Sequence, residues 1–187
     1  MNIQIKPLTH ESVNDYLQFF DTVSFSENPD WSICYCFSFH FVGTKEQWNR
    51  EDNRSGVIRF VNENRMTGYL AYLNDKPVGW CNANDRLNYQ RLIKYYDLID
   101  NDRDKVCSIV CFLIHPDYRR KGIAQKLLEK VCIDYATKNY NYVEAYPGKG
   151  EQSCEGHYKG PLKLYRKLGF TIEKEYDDYY VVRKNLK

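Results

Sequence analysis

An eleven-residue stretch in the second half of the chain decides the fold; it reads IHPDYRRKGIA and covers residues 114–124. The run before it, Val106–Ile114, is almost entirely apolar, which predicts a buried central strand. After it, apolar residues recur at helical spacing and predict a helix of about four turns; they are Ile123, Leu127, Leu128, Val131 and Tyr135. The stretch is therefore a turn between a buried strand and a helix.

This turn has the features of an anion-binding site. The first amide groups of a helix lack partners within the helix, and the helix dipole adds partial positive charge there. Gly122 lets an anion approach the backbone, and Ala124 leaves the first helical turn unobstructed. Arg119, Arg120 and Lys121 add attraction for a polyanion. We expect the turn to hold a pyrophosphate.

The remaining patterns predict helices around one sheet. Further strand-like runs cover residues 3–7, 69–73, 78–81, 142–146, 170–176 and 179–182. Helices are expected after Thr9, from the capping-box pattern of residues 44–47, around the apolar set of residues 57–61 and ending before Gly68, and over 162–168 with Gly169 ending the last one. Early hairpins followed by a strand, helix and strand unit predict a mixed α/β (α+β) fold, with helices flanking one sheet.

Composition limits the classes of protein. The 187 residues, with no Pro/Gly/Ser-rich divider, are expected to form a single domain, 1–187. No apolar run approaches the roughly 20 residues that a membrane span needs, and the N-terminal residues do not resemble a secretion signal, so a cytoplasmic location is the default. The net charge is only +2 and its cations are dispersed, which speaks against nucleic-acid binding.

The cysteine pattern favours free thiols. There are seven cysteines, an odd number, and several lie within apolar runs, which suits a reducing compartment. The close pairings Cys34-Tyr-Cys36 and Cys154-Glu-Gly-His157 lack the spacing of a structural zinc site, so we expect no metal.

Two motifs resemble those of a known family. Arg119, Gly122 and Ala124 form R-x-x-G-x-A, which resembles the signature [RQ]-x-x-G-x-[GA] of the GNAT acetyltransferases. About forty residues later, LYRKLGF at 164–170 is similar to the family's LYxKxGF motif. The resemblance covers 106–187 well, the hairpin at 69–83 more loosely and residues 1–65 only in outline. Within this superfamily, residues 31–36, 79–81 and 144–147 are similar to a little-characterised bacterial branch.

The resemblance implies the GNAT acyl-CoA N-acyltransferase fold, with a central, mostly antiparallel sheet flanked by helices. It implies transfer of an acetyl group from acetyl-CoA to a primary amine by direct attack, and it allows a homodimer. Main-chain groups of β-strand residues would pair with the pantetheine arm, and amides of the turn would hold the pyrophosphate. The expected cofactor-binding residues are Phe112, Leu113, Ile114, Arg119, Arg120, Lys121, Gly122, Ile123, Ala124 and Tyr158. Tyr158 stands where many relatives carry Asn.

The resemblance also implies catalytic roles. Tyr165, within the second motif, is expected to protonate the departing thiolate, since a phenol with a pKa near 10 suits that task. The residues themselves offer two carboxylates as general base: Glu144 is the expected base and Asp85 an alternative, and burial could raise the pKa of either. Each could instead be a solvated or capping carboxylate, and water relays could replace a base. Trp31 and Trp80 could line an acceptor pocket for a cationic or aromatic amine, or could pack in the core.

Two other functions stay open at this point. A non-catalytic acyl-CoA-binding module would keep the anion site without turnover. A nucleic-acid-binding protein would rest only on residues 119–121 and the many tyrosines. The sequence leaves the acceptor open among small molecules, peptides and proteins, because the first half of the chain would build its pocket.

Overall fold

The computed structural model describes residues 2–22, 25, 28–96, 104–150 and 156–187. Within them the strands form one seven-stranded sheet in the order β1-β2-β3-β4-β5-β7-β6. The strands are β1 Gln4–Pro7, β2 Gly68–Leu73, β3 Lys76–Asp85, β4 Val106–Ile114, β5 Tyr142–Ala145, β6 Thr171–Glu175 and β7 Tyr180–Asn185. Neighbouring strands are antiparallel except for β4 and β5, which are parallel.

The α-helices of the described residues are α1 Val13–Thr22, α2 Arg50–Asn62, α3 Gln90–Tyr95, α4 Ile123–Thr137 and α5 Leu162–Lys167. A mixed fold with helices around one central, mostly antiparallel sheet was the fold class expected from the sequence, and it is confirmed. In the part of the chain described here, no helix combines the length and the apolar character needed to cross a membrane.

Both faces of the central strands β2, β3 and β4 are buried, and their alternate residues point to opposite sides of the sheet. On β3, Trp80 packs into the cluster that also holds Tyr16 of α1 and Val57 of α2. Its neighbour Cys81 packs into the opposite cluster, together with Leu127 of α4. The central strand β4 is thus covered on both sides, as its continuous apolar sequence predicted.

The start of α2 corrects one expectation. Residues 44–47 carry half of a capping box, since the backbone N–H of Thr44 donates to Gln47 Oε1 at 3.0 Å. The segment nevertheless forms only turns, and α2 begins at Arg50. Asn49 is the cap, accepting a hydrogen bond from the backbone N–H of Asp52 at 2.9 Å. A cap pattern does not start a helix when another cap next to the apolar run competes with it.

The parallel pair β4 and β5 separates partway along the sheet. Their pairing runs from Val106 opposite Tyr142 to Ile109 opposite Ala145. Strand β4 continues to Ile114 with β3 still paired on its other side. The short 3-10 segment Gly156–Lys159 lies beside this extension of β4. The divergence leaves an opening at the sheet edge of β4, close to the turn that precedes α4.

Candidate active site

The turn before α4 is open at its glycine. Gly122 is the N-cap of α4 and adopts the left-handed conformation, with φ 81°. A Cβ placed on it would have no described heavy atom within 4 Å beyond its chain neighbours. Glycine is therefore required here by the backbone conformation rather than by crowding. The helix end faces free space, and an anion can approach its first amide groups.

Local hydrogen bonds hold the rest of this turn in place. Arg119 Nε donates to the carbonyl oxygen of Ile114 at 3.3 Å, which ties the turn to the end of β4. Lys121 Nζ donates to the carbonyl oxygen of Asp117 at 2.8 Å. The side chains of Arg120 and Lys121 lie at the surface. Three cations thus surround the open helix end within a fixed loop.

A cleft of about 160 Å³ begins beside this turn and follows the extension of β4. Six of the ten expected cofactor-binding residues line it: Phe112, Leu113, Ile114, Arg119, Ala124 and Tyr158. The other four lie on the turn or behind it; Arg120, Lys121 and Gly122 are exposed, whereas Ile123 is buried against the sheet. A linear groove beside a strand edge, ending at an open helix terminus, suits a long thiol arm that carries phosphates at one end.

A second pocket, of about 230 Å³, adjoins this cleft. Both cavities are lined by Phe25, Trp31 and Tyr158, so these rings stand at the junction. The rings of Trp31 and Tyr158 meet edge to face, with centroids 6.0 Å apart. Other residues of the second pocket are Asp30, Ile33, Cys34, Cys36, Ser38, Phe39, Trp48 and Cys111. We call this second cavity the aromatic pocket.

The tyrosine at the junction is half buried and lies near a cation. Burial raises the pKa of Tyr158, and the ammonium group of Lys159 opposes that change. Lys159 Nζ donates to the hydroxyl of Tyr96 at 3.0 Å and lies 5.7 Å from the ring centroid of Tyr158. The phenol of Tyr158 therefore stays protonated at neutral pH.

Tyr165 lies directly behind the cleft wall. Its side chain is buried, and its hydroxyl donates to the carbonyl oxygen of Lys159 at 2.6 Å. Gly160 lines the cleft, and a Cβ added to Gly160 would come within 2.8 Å of that hydroxyl oxygen. Gly160 thus lies against both the cleft and the phenol of Tyr165. Burial raises the pKa of Tyr165 well above its usual value, and the nearby thiols of Cys81 and Cys132 add to this.

Glu144 is enclosed by partners on the buried part of β5. Its Oε2 accepts a hydrogen bond from Arg183 Nε at 2.6 Å and lies 3.9 Å from a guanidinium nitrogen of Arg86. Its Oε1 accepts a hydrogen bond from the Tyr146 hydroxyl. Glu144 lines neither the cleft nor the aromatic pocket. These contacts suit a structural ion pair, and its role as general base stays a prediction.

The alternative base, Asp85, acts as a cap. It accepts hydrogen bonds from the backbone N–H of Leu87 at 2.9 Å and from the Tyr140 hydroxyl at 2.8 Å. It lies at the end of β3 and lines neither cavity. The capping role was the other interpretation that its position allowed.

The expectation that all cysteines are free thiols is wrong. Cys36 and Cys111 form a disulfide that lies in the wall of the aromatic pocket, and Cys34 lines the same wall as a free thiol. The two bonded residues are 75 positions apart, so no spacing pattern could indicate the bond. Disulfides are rare in reducing compartments, so this bond also weakens the inference from the cysteine pattern that the protein occupies a reducing compartment. Cys154 lies outside the described residues.

Of the two tryptophans considered for an acceptor pocket, Trp31 lines the aromatic pocket and Trp80 does not. Trp80 is fully buried and packs against Tyr16, with ring centroids 4.8 Å apart. Sequence reasoning missed Asp30 and Trp48 in the aromatic pocket and His157 in the cleft. They come from segments whose contacts depend on the tertiary fold, and only the density of aromatics after Trp31 hinted at them.

Comparisons with known proteins identify the family and the fold of the chain. The sequence profile of the acetyltransferase (GNAT) family matches residues 27–170, so the chain belongs to the GNAT acetyltransferase family. A comparison with curated proteins gave no match. The similar structures reported below share less than a quarter of their residues with this chain and establish the fold alone.

One similar structure is an N-acetyltransferase from Staphylococcus aureus Mu50, with TM-score 0.58, 16% identity and all of both chains covered. A second is the PaiA N-acetyltransferase from Thermoplasma acidophilum in complex with coenzyme A, with TM-score 0.58, 15% identity and 99% of each chain covered. A third is the ribosomal-protein-S18-alanine N-acetyltransferase from Escherichia coli. Its TM-score is 0.58 at 12% identity, covering all of this chain and 95% of the other.

Proposed function

We propose that the protein is an N-acetyltransferase that transfers the acetyl group of acetyl-CoA to a primary amine by direct attack. One observation carries the proposal: a cleft leads from the open N-terminus of α4, along β4, to the aromatic pocket. The two ends of the cleft match the two needs of the reaction, a place for phosphates and a place for an acceptor. The coenzyme A complex of the similar PaiA enzyme supports the choice of cosubstrate.

In this proposal the turn at 119–124 holds the pyrophosphate with its amide groups and cations. The pantetheine arm lies along Phe112, Leu113 and Ile114. The thioester then lies at the junction where Trp31 and Tyr158 separate the cleft from the aromatic pocket. An amine in the aromatic pocket is thereby brought next to the carbonyl carbon, which is the main contribution of positioning to catalysis.

The reaction needs two proton transfers. The lone pair of the neutral amine forms the new C–N bond, the C–S bond breaks, and its electron pair leaves on sulfur as a thiolate. We propose Tyr165 as the proton donor to this thiolate, with its hydrogen bond to the Lys159 carbonyl exchanged for one to sulfur when the cosubstrate is bound. Tyr158 is the second candidate because its ring lines both cavities. The proton lost by the amine leaves through water; Glu144, the predicted base, lines neither cavity and could receive the proton only through a water relay.

The test measures release of free thiol from acetyl-CoA across a panel of amines, beside the melting temperature with and without acetyl-CoA. Stimulated thiol release and a raised melting temperature are the expected results. Binding of CoA without turnover of any amine, unaffected by Tyr165→Phe, would instead identify a non-catalytic acyl-CoA-binding module. A homodimer and a cytoplasmic location stay predictions.

A further inference from the structure

The walls of the aromatic pocket limit which amine can react. Given the proposed function, on which this acceptor class rests, we propose that the acceptor is a small primary amine with an apolar body, best a single aromatic ring, and no negative charge. Its ring lies in the aromatic pocket and its amine points to the junction at Trp31 and Tyr158.

Location is the first argument. The aromatic pocket and the cofactor cleft share three lining residues, so an amine held in the pocket is adjacent to the proposed thioester position. Phe25 and Trp31 meet at a steep angle, with ring centroids 6.4 Å apart, and Trp31 meets Tyr158 in the same manner. These edge-to-face contacts fix the rings at the entrance between the two cavities.

The second argument is the chemistry of the lining. Trp31, Trp48, Phe39 and Ile33 give the pocket apolar and aromatic surfaces, which favour an apolar ring. Among the described lining residues there is no Arg, Lys or His to pair with a carboxylate or a phosphate of the acceptor. An acidic acceptor would have to leave its charge unpaired in a largely apolar cavity, which is strongly unfavourable.

The wall of the aromatic pocket carries a negative charge, which attracts a cationic amine. Asp30 is an exposed carboxylate and is the only Asp or Glu among the described residues that line the aromatic pocket. An alkyl amine arrives mainly as its ammonium form, because its pKa is close to that of lysine. Asp30 attracts that cation to the pocket, and the aromatic rings accept it as well.

Size is the third argument. The pocket volume of about 230 Å³ equals that of roughly eight water molecules in the liquid, at about 30 Å³ each. Pockets for drug-sized ligands are larger, about 300–1,000 Å³. One ring with a short amine arm fits this space, whereas a polyamine or an amino sugar would leave polar groups against apolar walls.

The experiment uses amines that differ in one group. Thiol release from acetyl-CoA is measured with phenethylamine, with phenylalanine, which adds a carboxylate, and with phenylalanine methyl ester, which removes that charge again. We expect kcat/KM for phenethylamine to exceed that for phenylalanine by about 100-fold, and the ester to recover most of the loss. The amines of phenylalanine and its ester are less basic than the amine of phenethylamine, so a larger fraction of each is in the reactive neutral form. Amine protonation alone would therefore not give phenethylamine the highest kcat/KM.

Variants test the pocket itself. Trp48→Leu touches the aromatic pocket but not the cleft, and should raise KM for phenethylamine about 10-fold with KM for acetyl-CoA unchanged. Asp30→Asn should raise KM for phenethylamine about 3-fold, as expected for an exposed charge. The matched control is Tyr95→Leu, an exposed aromatic outside both cavities, which should change neither constant.

The outcomes separate the two proposals. Turnover of phenylalanine or of an alanine-initiated peptide at rates above phenethylamine would overturn the acceptor class and leave the N-acetyltransferase assignment intact. Binding of CoA without turnover of phenethylamine or of any other amine in the panel would overturn the N-acetyltransferase assignment and the acceptor class with it. Failure of phenethylamine to bind or react, while another amine is acetylated, would overturn the acceptor class alone.

Discussion

Cys36 and Cys111 are joined by a disulfide that fastens the segment before α2 to the central strand β4, in the wall of the aromatic pocket. The bond closes a loop of 75 residues that contains α2, β2, β3 and α3. It therefore connects a segment that lines the aromatic pocket to the strand that also lines the cleft.

Reduction of this bond should destabilise the protein. For a loop of this length, the chain-entropy relation gives about 4 kcal/mol at 25 °C. We expect dithiothreitol to lower the melting temperature of the wild type, and peptide mapping without reductant to recover the Cys36–Cys111 pair. The double variant Cys36→Ala/Cys111→Ala should lose the effect of dithiothreitol, and Cys34→Ala should retain it. A wild-type melting temperature unaffected by reductant, with both thiols free, would contradict the bond.

Two glycines allow a controlled test of the anion site. Gly122 and Gly169 have nearly the same backbone angle, φ 81° and 82°, and a Cβ on either would meet no described atom within 4 Å. Changing either to Ala should cost about 1–2 kcal/mol of stability through the left-handed backbone. Only Gly122→Ala should also raise KM for acetyl-CoA, about 10-fold, because it obstructs the helix end. Equal kinetic effects of the two variants would refute the assigned phosphate position.

A buried histidine should make the fold sensitive to acid. Burial lowers the pKa of His40 to about 4, and the charge of Arg65 adds to this, although the nearby polar groups of Asn88 and Asn82 oppose it. In the unfolded chain His40 binds its proton near pH 6.5. The contribution of neutral His40 to the free energy of unfolding is therefore complete above pH 6.5, and it is lost as the pH falls to about 4 because the proton then favours the unfolded chain. The gap between the two values corresponds to about 3 kcal/mol.

The measurement is the melting temperature of wild type and His40→Phe between pH 7 and pH 4. Phe is chosen because His40 stacks with Phe37 and packs edge to face on Phe60. The difference between the two proteins should shift in favour of the variant as the pH falls. His10→Gln, at an exposed position, should follow the wild type. Parallel curves for wild type and His40→Phe would show that His40 does not cause the sensitivity.

The cofactor side of the site was predictable because it is built from neighbouring residues. The strand Val106–Ile114, the glycine turn and α4 follow one another in the chain, and each obeys a local rule of periodicity or capping. The structure confirmed these elements, including the bounds of β4. The fold class followed from their order.

The acceptor side was not predictable, because it depends on contacts between distant segments. Trp48 and Cys111 line one pocket although they are 63 positions apart in the sequence. Glu144 looked like a base on a strand, and only the fold brings Arg183 of β7 and Arg86 against it. Periodicity and capping patterns contain no information on such pairs.

Glu144→Gln tests whether this carboxylate is a base or an ion-pair partner. Its buried side chain is held by Arg183, so we expect a loss of about 3–5 kcal/mol in stability, as for other broken buried ion pairs. If Glu144 were the base, the acidic limb of the pH profile of kcat/KM would instead disappear, because that limb reports protonation of the base. Measuring the pH profile at a temperature where the variant is folded separates the loss of stability from the loss of a catalytic base. We expect the limb to remain.

Tyr165→Phe and Tyr158→Phe form the matched pair for the proton donor. Removing the donor should lower kcat about 100-fold or more with little change in KM for acetyl-CoA. We expect this for Tyr165→Phe, because the hydroxyl it loses lies behind Gly160 at the cleft wall. Tyr158→Phe keeps the ring that lines both cavities, so its kcat should stay within about 3-fold of wild type. A second acetyl donor whose thiol leaves more easily should narrow the defect of Tyr165→Phe, since a better leaving group needs less protonation. If Tyr158→Phe showed the large loss and the rescue, the donor role would pass to Tyr158.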